Sequence, residues 1–397
     1  MSPKVSIVKG KNPRHGVRKA IELLGGIESF VKKGDTVFIK PNWVYLSPPN
    51  LTTDPRVVAE LAALCKEAGG KPFVGDIPAI GVSSKWLYQV TGWGKIVEKS
   101  GGELVPLDEM PKVKVKVEEG KLFKEIDLPK PIIDADVFVD VPVAKTHIAA
   151  VASLGIKNLL GILDDHWKYI HHRDDLHQKM VDLLKAVSPE LVVIDGIKAG
   201  EGQGPANCDW IEWGVIIAGD NIISTDAVAA RAMGFDPMEV HMVRIGAAQG
   251  LGEADLNKIE VLGAKIADIE RRFKRPITNP TGFYPFDVFT SGWCDGCRAW
   301  ISASLDGWAK DGTFRKLAKK TNLTIAVGCR VTIPEIERRI KQGPVIVFGD
   351  CAPEETKHHP GVTNIPGCPP TSNLTSDFLN ALRKYGIEME KIHREKE

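Results

Sequence analysis

Thr36-Val37-Phe38-Ile39-Lys40-Pro41-Asn42, then Pro55–Ala68, then Lys71-Pro72-Phe73-Val74 is the stretch that sets the fold. The outer pieces are short β-branched and aromatic runs, which suit strands. Between them Val57, Val58, Leu61, Leu64 and Cys65 recur at the spacing of one helix face. Strand, amphipathic helix and strand in that order predict a parallel βαβ unit.

The same alternation continues on either side. Val5–Val8, Val137–Val141, Leu191–Ile194 and Val215–Ala218 read as further strands, and Val113–Val117, with alternating charge, as a local hairpin insertion. The fold class is therefore α/β: a doubly wound, mostly parallel sheet over residues 1–263. A charged stretch and a proline-rich loop, 264–285, form a linker. Beyond it, residues 286–397 alternate again, with a helix near Ala299–Trp308, strand Leu323–Val327, helix Pro334–Lys341 and strand Val345–Phe348. That predicts a second, smaller α/β domain. The Lys391–Glu397 tail reads as frayed.

Composition narrows the function classes. Lys plus Arg is 52 against 51 Asp plus Glu, a net charge of +1, which gives no whole-chain reason to bind nucleic acid or an anionic membrane. No run approaches the roughly 18 apolar residues that span a bilayer, and the N-terminus opens directly into a strand, so a cytoplasmic protein is expected. In that compartment the seven cysteines are expected to be reduced rather than paired.

Five of those cysteines crowd the last quarter of the chain. Cys294-Asp-Gly-Cys297 is a turn; Cys329 and Cys351 each follow a hydrophobic run and a glycine; Cys368 sits in Pro366-Gly-Cys-Pro-Pro370. Thiolate sulfur gathered in this way is chemistry for an iron–sulfur cluster, with structural zinc as the alternative. Only one Cys-x-x-Cys knuckle is present, which favours the cluster. The motifs, in this order, resemble the proximal [4Fe-4S] site of nickel–iron hydrogenase small subunits. The resemblance implies Cys294, Cys297, Cys351 and Cys368 as ligands, with Cys329 a fifth thiol of open role. Cys65 and Cys208 read as core residues.

In the N-terminal segment several polar clusters fall at strand ends, where α/β sheets bind ligands. Lys40 and Asn42 follow one strand; Lys145, Thr146 and His147 follow another; Lys157 and Asn158 come soon after. Together they predict a cationic, donor-rich pocket for a small anionic substrate, with Lys145 and His147 as catalytic candidates and His147 the proton carrier. Gly202 and Gly204 lie in a glycine-rich loop that could cradle an anion through backbone N–H groups, although it is neither a Walker A loop nor a dinucleotide fingerprint. Lys40-Pro41-Asn42, Lys145-Thr146-His147, Lys157-Asn158, Gly202-x-Gly204-Pro205 and Asp226-Ala-Val-Ala-Ala230 together are similar to the DUF362 family, over residues 1–263.

His166, His171, His172 and His177 crowd with four aspartates before and within an expected helix, Asp175–Val187, and His177 is a second candidate base. Their spacing matches no metal motif. They carry a distant echo of the nickel-pincer lactate racemase class, which keeps proton abstraction open. The expected function is an iron–sulfur redox enzyme or maturation factor acting on a small anionic substrate. The alternatives are an electron-transfer protein docking a redox partner protein, and a redox-neutral lyase or epimerase using the cluster or a histidine base. Whether the chain is an enzyme, and whether it forms a homo-oligomer, the sequence leaves open.

Overall fold

The computed structural model describes residues 2–44, 52–205, 207–370 and 374–389; the Lys391–Glu397 tail lies outside them. The chain divides into two compact units. One comprises Met1–His171 and His177–Pro276, the other Ile277–Glu397 together with the short stretch His172–Leu176. The division falls inside the 264–285 stretch, but the excursion at 172–176 has no signal in the sequence.

The first unit carries β1 (Lys4–Lys9), β2 (Thr36–Pro41), β3 (Lys71–Val74), β4 (Glu103–Leu104), the pair β5 (Lys112–Lys116) and β6 (Glu125–Pro129), then β7 (Val137–Val141), β8 (Val143–His147), β9 (Val151–Ser153), β10 (Leu191–Gln203), β11 (Asn207–Gly219) and β12 (Glu260–Gly263). Its main sheet runs in the order β12-β1-β11-β10-β7-β2-β3-β4, with β8 and β9 branching from β10. Pairing is parallel except where β11 lies between β1 and β10 and where β8 turns back into β9. Among the described residues β5 and β6 pair only with each other, as an antiparallel hairpin.

β2 and β7 are centre strands, and nearly every residue of both is buried. Their unbroken Val/Ile/Phe runs suit strands covered on both faces. Val37 and Ile39 enter a core shared with Val57, Val58, Leu61, Leu64 and Cys65 of the helix Pro55–Glu67. Asp54 caps that helix by accepting from Arg56 N–H, and Pro55 sits in its first turn. Phe38 and Lys40 point to the opposite face (period two along a strand). There the Phe38 ring stacks between Phe73 and Phe138, with centroids 5.3 and 5.0 Å away.

The second unit is built on β13 (Asp287–Thr290), β14 (Thr324–Val327), β15 (Val345–Phe348) and β16 (Val362–Ile365), all parallel and in sequence order. Alternate residues serve two cores. Ile325, Val327, Ile346 and Phe348 pack with the helices Asp295–Lys310 and Leu374–Lys384, whereas Ala326, Val345 and Val347 pack with Ile336 of the helix Ile333–Ile340. Among the described residues no helix is long and apolar enough to cross a membrane.

Candidate functional site

Two constellations carry chemistry, one in each unit. In the second unit the registers align Thr290, Val327, Phe348 and Ile365 in one row at the carboxyl ends of the strands. Each strand then runs into cysteine: Cys294 and Cys297 after β13, Cys329 after β14, Cys351 after β15, Cys368 after β16. The sequence suggested a turn for Cys294–Cys297. The structure instead makes Cys294 the N-cap of the helix Asp295–Lys310 and places Cys297, buried, in its first turn. The positive end of a helix favours thiolate.

The sulfurs sense one another. Cys294 is held at about 5, chiefly by a hydrogen bond from the Cys297 thiol; burial opposes this, and the backbone N–H groups of Cys297, Asp174 and Gly296 add to it. Cys297 is pushed up, first by that same bond, then by burial and by the charges of Cys294, Cys351 and Cys368. Burial, then Cys294, Cys368 and Cys329, raise Cys351. Cys368 is raised by burial, with the Arg173 guanidinium opposing. Gly349, at φ +97°, forms the floor: a β-carbon there would stand 3.7 Å from Cys351 Sγ and 3.9 Å from Cys297 Sγ. Those are ordinary contacts, so it is the left-handed backbone, not crowding, that favours glycine there. Cys329 is exposed and its thiol donates to the Gly292 carbonyl at 3.1 Å.

The stretch His172–Leu176 completes this edge. Arg173 Nε donates to the Cys368 carbonyl at 2.8 Å, Asp174 N–H points at Cys294, and Leu176 N–H points at the Asp295 carboxylate. The His172 ring meets Trp300 edge-on at 6.0 Å. The His172 carbonyl lies where a side chain on Gly296 would need to be, 2.7 Å from a β-carbon there. Sequence reading could not find this segment, because its partners lie more than 100 positions away.

Among the described residues no three His, Cys, Asp or Glu side chains gather tightly enough to hold a single metal ion. A cubane spreads its thiolate ligands over the corners of a cluster, so the donor set and the cradle are the relevant test of fit. Four thiols on one edge, a glycine floor and a thiol held low fit that group.

In the first unit the strand-end clusters converge, though not as an open pocket. Lys145 Nζ donates to Asn42 Oδ1 at 2.7 Å, Asn42 Nδ2 to Asn158 Oδ1 at 2.8 Å, and Asn158 Nδ2 to Asp140 Oδ1 at 2.7 Å. Among the described residues Asp140 Oδ2 is enclosed without a hydrogen-bond partner, and burial raises the carboxyl well above its usual range. Burial likewise lowers Lys145 to about 8. Asp226 accepts from the Gly155 and Ile156 amides at 2.8 and 2.9 Å and so fixes the turn that presents Lys157 and Asn158; burial raises it to about 7.

Three expectations need correction. Lys40 is fully buried: it pairs with Asp76 at 2.9 Å and donates to the Pro41 carbonyl at 2.8 Å, so it is an internal ion pair and not an anion-binding arm. Burial pushes Asp76 up while Lys40 and the Trp43 N–H oppose it. Gly202 and Gly204 are not an anion cradle. Their amides already donate to the Lys274 and Gly202 carbonyls at 2.8 Å, and Gly204 packs against the Thr146 backbone. They form the end of the β10–β11 hairpin. His166, His171 and His172, expected ahead of the helix Asp175–Val187, lie on a helix of their own, Asp165–His172.

The other predicted residues take these places. Thr146 Oγ1 donates to the Gly202 carbonyl at 2.8 Å. His147 Nδ1 accepts the Ala149 N–H at 3.1 Å, which puts the ring proton of the neutral form on Nε2. The hairpin after it carries Val151 at φ +66°, a strained conformation for a β-branched residue. His177 packs on His241, ring centroids 4.7 Å apart, on the face of the helix Leu176–Ala186. Asp76 and Asp140, central to this network, gave no sequence signal beyond being acidic residues near strand ends.

Comparison with known proteins bears on the first unit. The family described as Domain of unknown function (DUF362) matches residues 37–231. "Thylakoid-associated protein sll1697" of Synechocystis sp. is 32% identical over 253 residues, covering 60% of this chain and 77% of that protein. The lactate racemase apoprotein of Thermoanaerobacterium thermosaccharolyticum, a solved structure, is 14% identical, with a TM-score of 0.36 over 82% of this chain and 69% of that one. So low a score carries no argument. The matched stretch holds the whole Lys145–Asn42–Asn158–Asp140 chain and none of the late cysteines, and this protein belongs to the DUF362 family.

Proposed function

We propose that this protein is an iron–sulfur protein whose second unit holds a [4Fe-4S] cluster through Cys294, Cys297, Cys351 and Cys368, and whose first unit takes a small anionic substrate at the strand-end network. The observation that carries the reading is the row of four parallel strands, each running into cysteine at the same edge. When bound, such a cluster supplies one-electron transfer, or Lewis acidity where an iron lacks a protein thiolate.

The chain's own residues prepare both sites. The helix Asp295–Lys310 directs its positive end at Cys294 and Cys297, Gly349 makes the left-handed turn that leads from β15 to Cys351, and Arg173 supplies a cation beside Cys368. In the first unit Asn42 and Asn158 fix where Lys145 points, and Lys157 brings a second cation. His147 would pass a proton through Nε2.

Anaerobically purified protein should be brown, with broad visible absorption that bleaches on adding dithionite. A colourless protein that takes up no iron on reconstitution with iron and sulfide would end the proposal. Arg173 offers a finer check. A cation and a nearby donor stabilise the more negative, reduced cluster. Arg173→Gln should therefore lower the reduction potential at unchanged iron content, and an unmoved potential would assign Arg173 a purely structural role.

A further inference from the structure

The short stretch His172–Leu176 belongs by its contacts to the second unit, yet it joins two helices of the first, Asp165–His172 and Leu176–Ala186. Its feet are fixed. Lys179 Nζ donates to the Ile170 carbonyl at 2.9 Å, which ties the helix before the stretch to the helix after it. His171 and Leu176 are fully buried. Between the feet Arg173, Asp174 and Asp175 are exposed, and Asp174 takes a left-handed φ of +53°.

The contacts of this strap join loops from opposite sides of the second sheet. Cys294 follows β13 and Cys368 follows β16, the first and last strands in the order β13-β14-β15-β16. Three strand spacings set those two strands about 14 Å apart. Arg173 Nε donates to the Cys368 carbonyl at 2.8 Å, and the Asp174 N–H points at Cys294. The His172 carbonyl packs over Gly296, 2.7 Å from where a β-carbon would stand, and the Leu176 N–H points at the Asp295 carboxylate. The strap thus bridges the two loops that a cluster ligated by Cys294 and Cys368 would also tie.

We propose that His172–Leu176 is a latch that closes on the cysteine edge when the cluster is in place and releases when it is lost, so that the helices at its feet register whether the second unit is loaded. The inference rests on the reading that Cys294, Cys297, Cys351 and Cys368 hold a cluster, and it adds a regulation to that site.

Linkage supplies the reason. Strap and cluster require the same spacing between the Cys294 and Cys368 loops, so each stabilises the other. Alone, the strap would order exposed backbone in return for a few hydrogen bonds of small net worth. Beside a cluster, added negative charge and sulfur acceptors strengthen the contacts of Arg173 and of the Asp174 N–H. The Asp174 and Asp175 carboxylates act on the same edge with the opposite sign, which keeps closure reversible.

The test is hydrogen exchange read by mass spectrometry on the full chain, either reconstituted with iron and sulfide or stripped of metal by a chelator. Peptides covering 173–176 are expected to exchange about tenfold more slowly in the loaded protein, the helix ends 168–171 and 177–180 to follow them, and β14 and β15 to change little. In loaded Arg173→Ala the strap should exchange as in metal-free protein, and the iron should be lost to the chelator sooner. Equal strap exchange in loaded and metal-free protein would overturn the latch and leave the cluster standing. Protection spread evenly over the second unit would overturn it too, because that is the mark of general stabilisation. A strap that slows while both helix ends stay unchanged would overturn the report to the first unit. Iron and sulfide are counted in the same samples, so protein that takes up neither defeats the cluster reading and the latch with it.

Discussion

Replacing Cys351 with serine is expected to strip most of the iron from the protein while leaving its fold intact. Cys351 follows β15 directly through Gly349 and Asp350, and it is an exposed side chain at the sheet edge, outside both cores of its unit. The hydroxyl thus removes little packing. What it removes is a soft thiolate, for which serine oxygen is a poor substitute as an iron ligand. Iron per chain should fall several-fold with little change in melting temperature for the metal-free forms. Cys329 stands on the same edge, and its charge acts on Cys351. A Cys351→Ser protein that keeps its full iron complement would contradict the ligand assignment. Loss of iron in Cys351→Ser together with retention in Cys329→Ser would support it.

The second large effect concerns stability. Asp76→Ala should destabilise the protein by about 3–5 kcal/mol, the usual consequence of leaving one partner of a buried ion pair alone. Lys40 is fully enclosed, and among the described residues its remaining hydrogen bond is to the Pro41 carbonyl. Asp76 also accepts the Trp43 N–H at 2.6 Å, so its loss would free the turn that follows β2. Because that turn presents Asn42 to Lys145, the same variant should loosen the strand-end network. Chemical denaturation of the full chain measures the change. A loss below about 1 kcal/mol would mean that water or another acid compensates Lys40, and that the pair is not what anchors β2.

How much was legible depended on whether the signal was local. The β2, β3 and β7 strands and the helix Pro55–Glu67 are visible in sequence because their apolar periodicity lies within a few residues. Cys329 and Cys351 were legible for the same reason, each closely following a strand read from sequence, whereas the strands β13 and β16 before Cys294 and Cys368 were not foreseen. The long hairpin β10–β11 was foreseen only at its outer ends, because the stretch around Gly202 and Gly204 reads as a glycine-rich loop. Gly200 and Gly202 are in a ladder instead, and at Gly200 Lys145 Cβ and Cys208 Sγ would crowd a side chain, at 3.1 and 2.6 Å. Lys40 misled because a strand-end lysine looks identical whether it meets solvent or a buried aspartate 36 positions later. The segment His172–Leu176 was invisible for a related reason: it looks like a linker between two helices, and only tertiary structure joins it to the thiols.

The most direct test of the account is a metal count on anaerobically purified protein: iron, acid-labile sulfide and zinc per chain. The account predicts about four irons and four sulfides and no stoichiometric zinc. One zinc per chain without sulfide, or thiols that bind no metal after reconstitution, would contradict it.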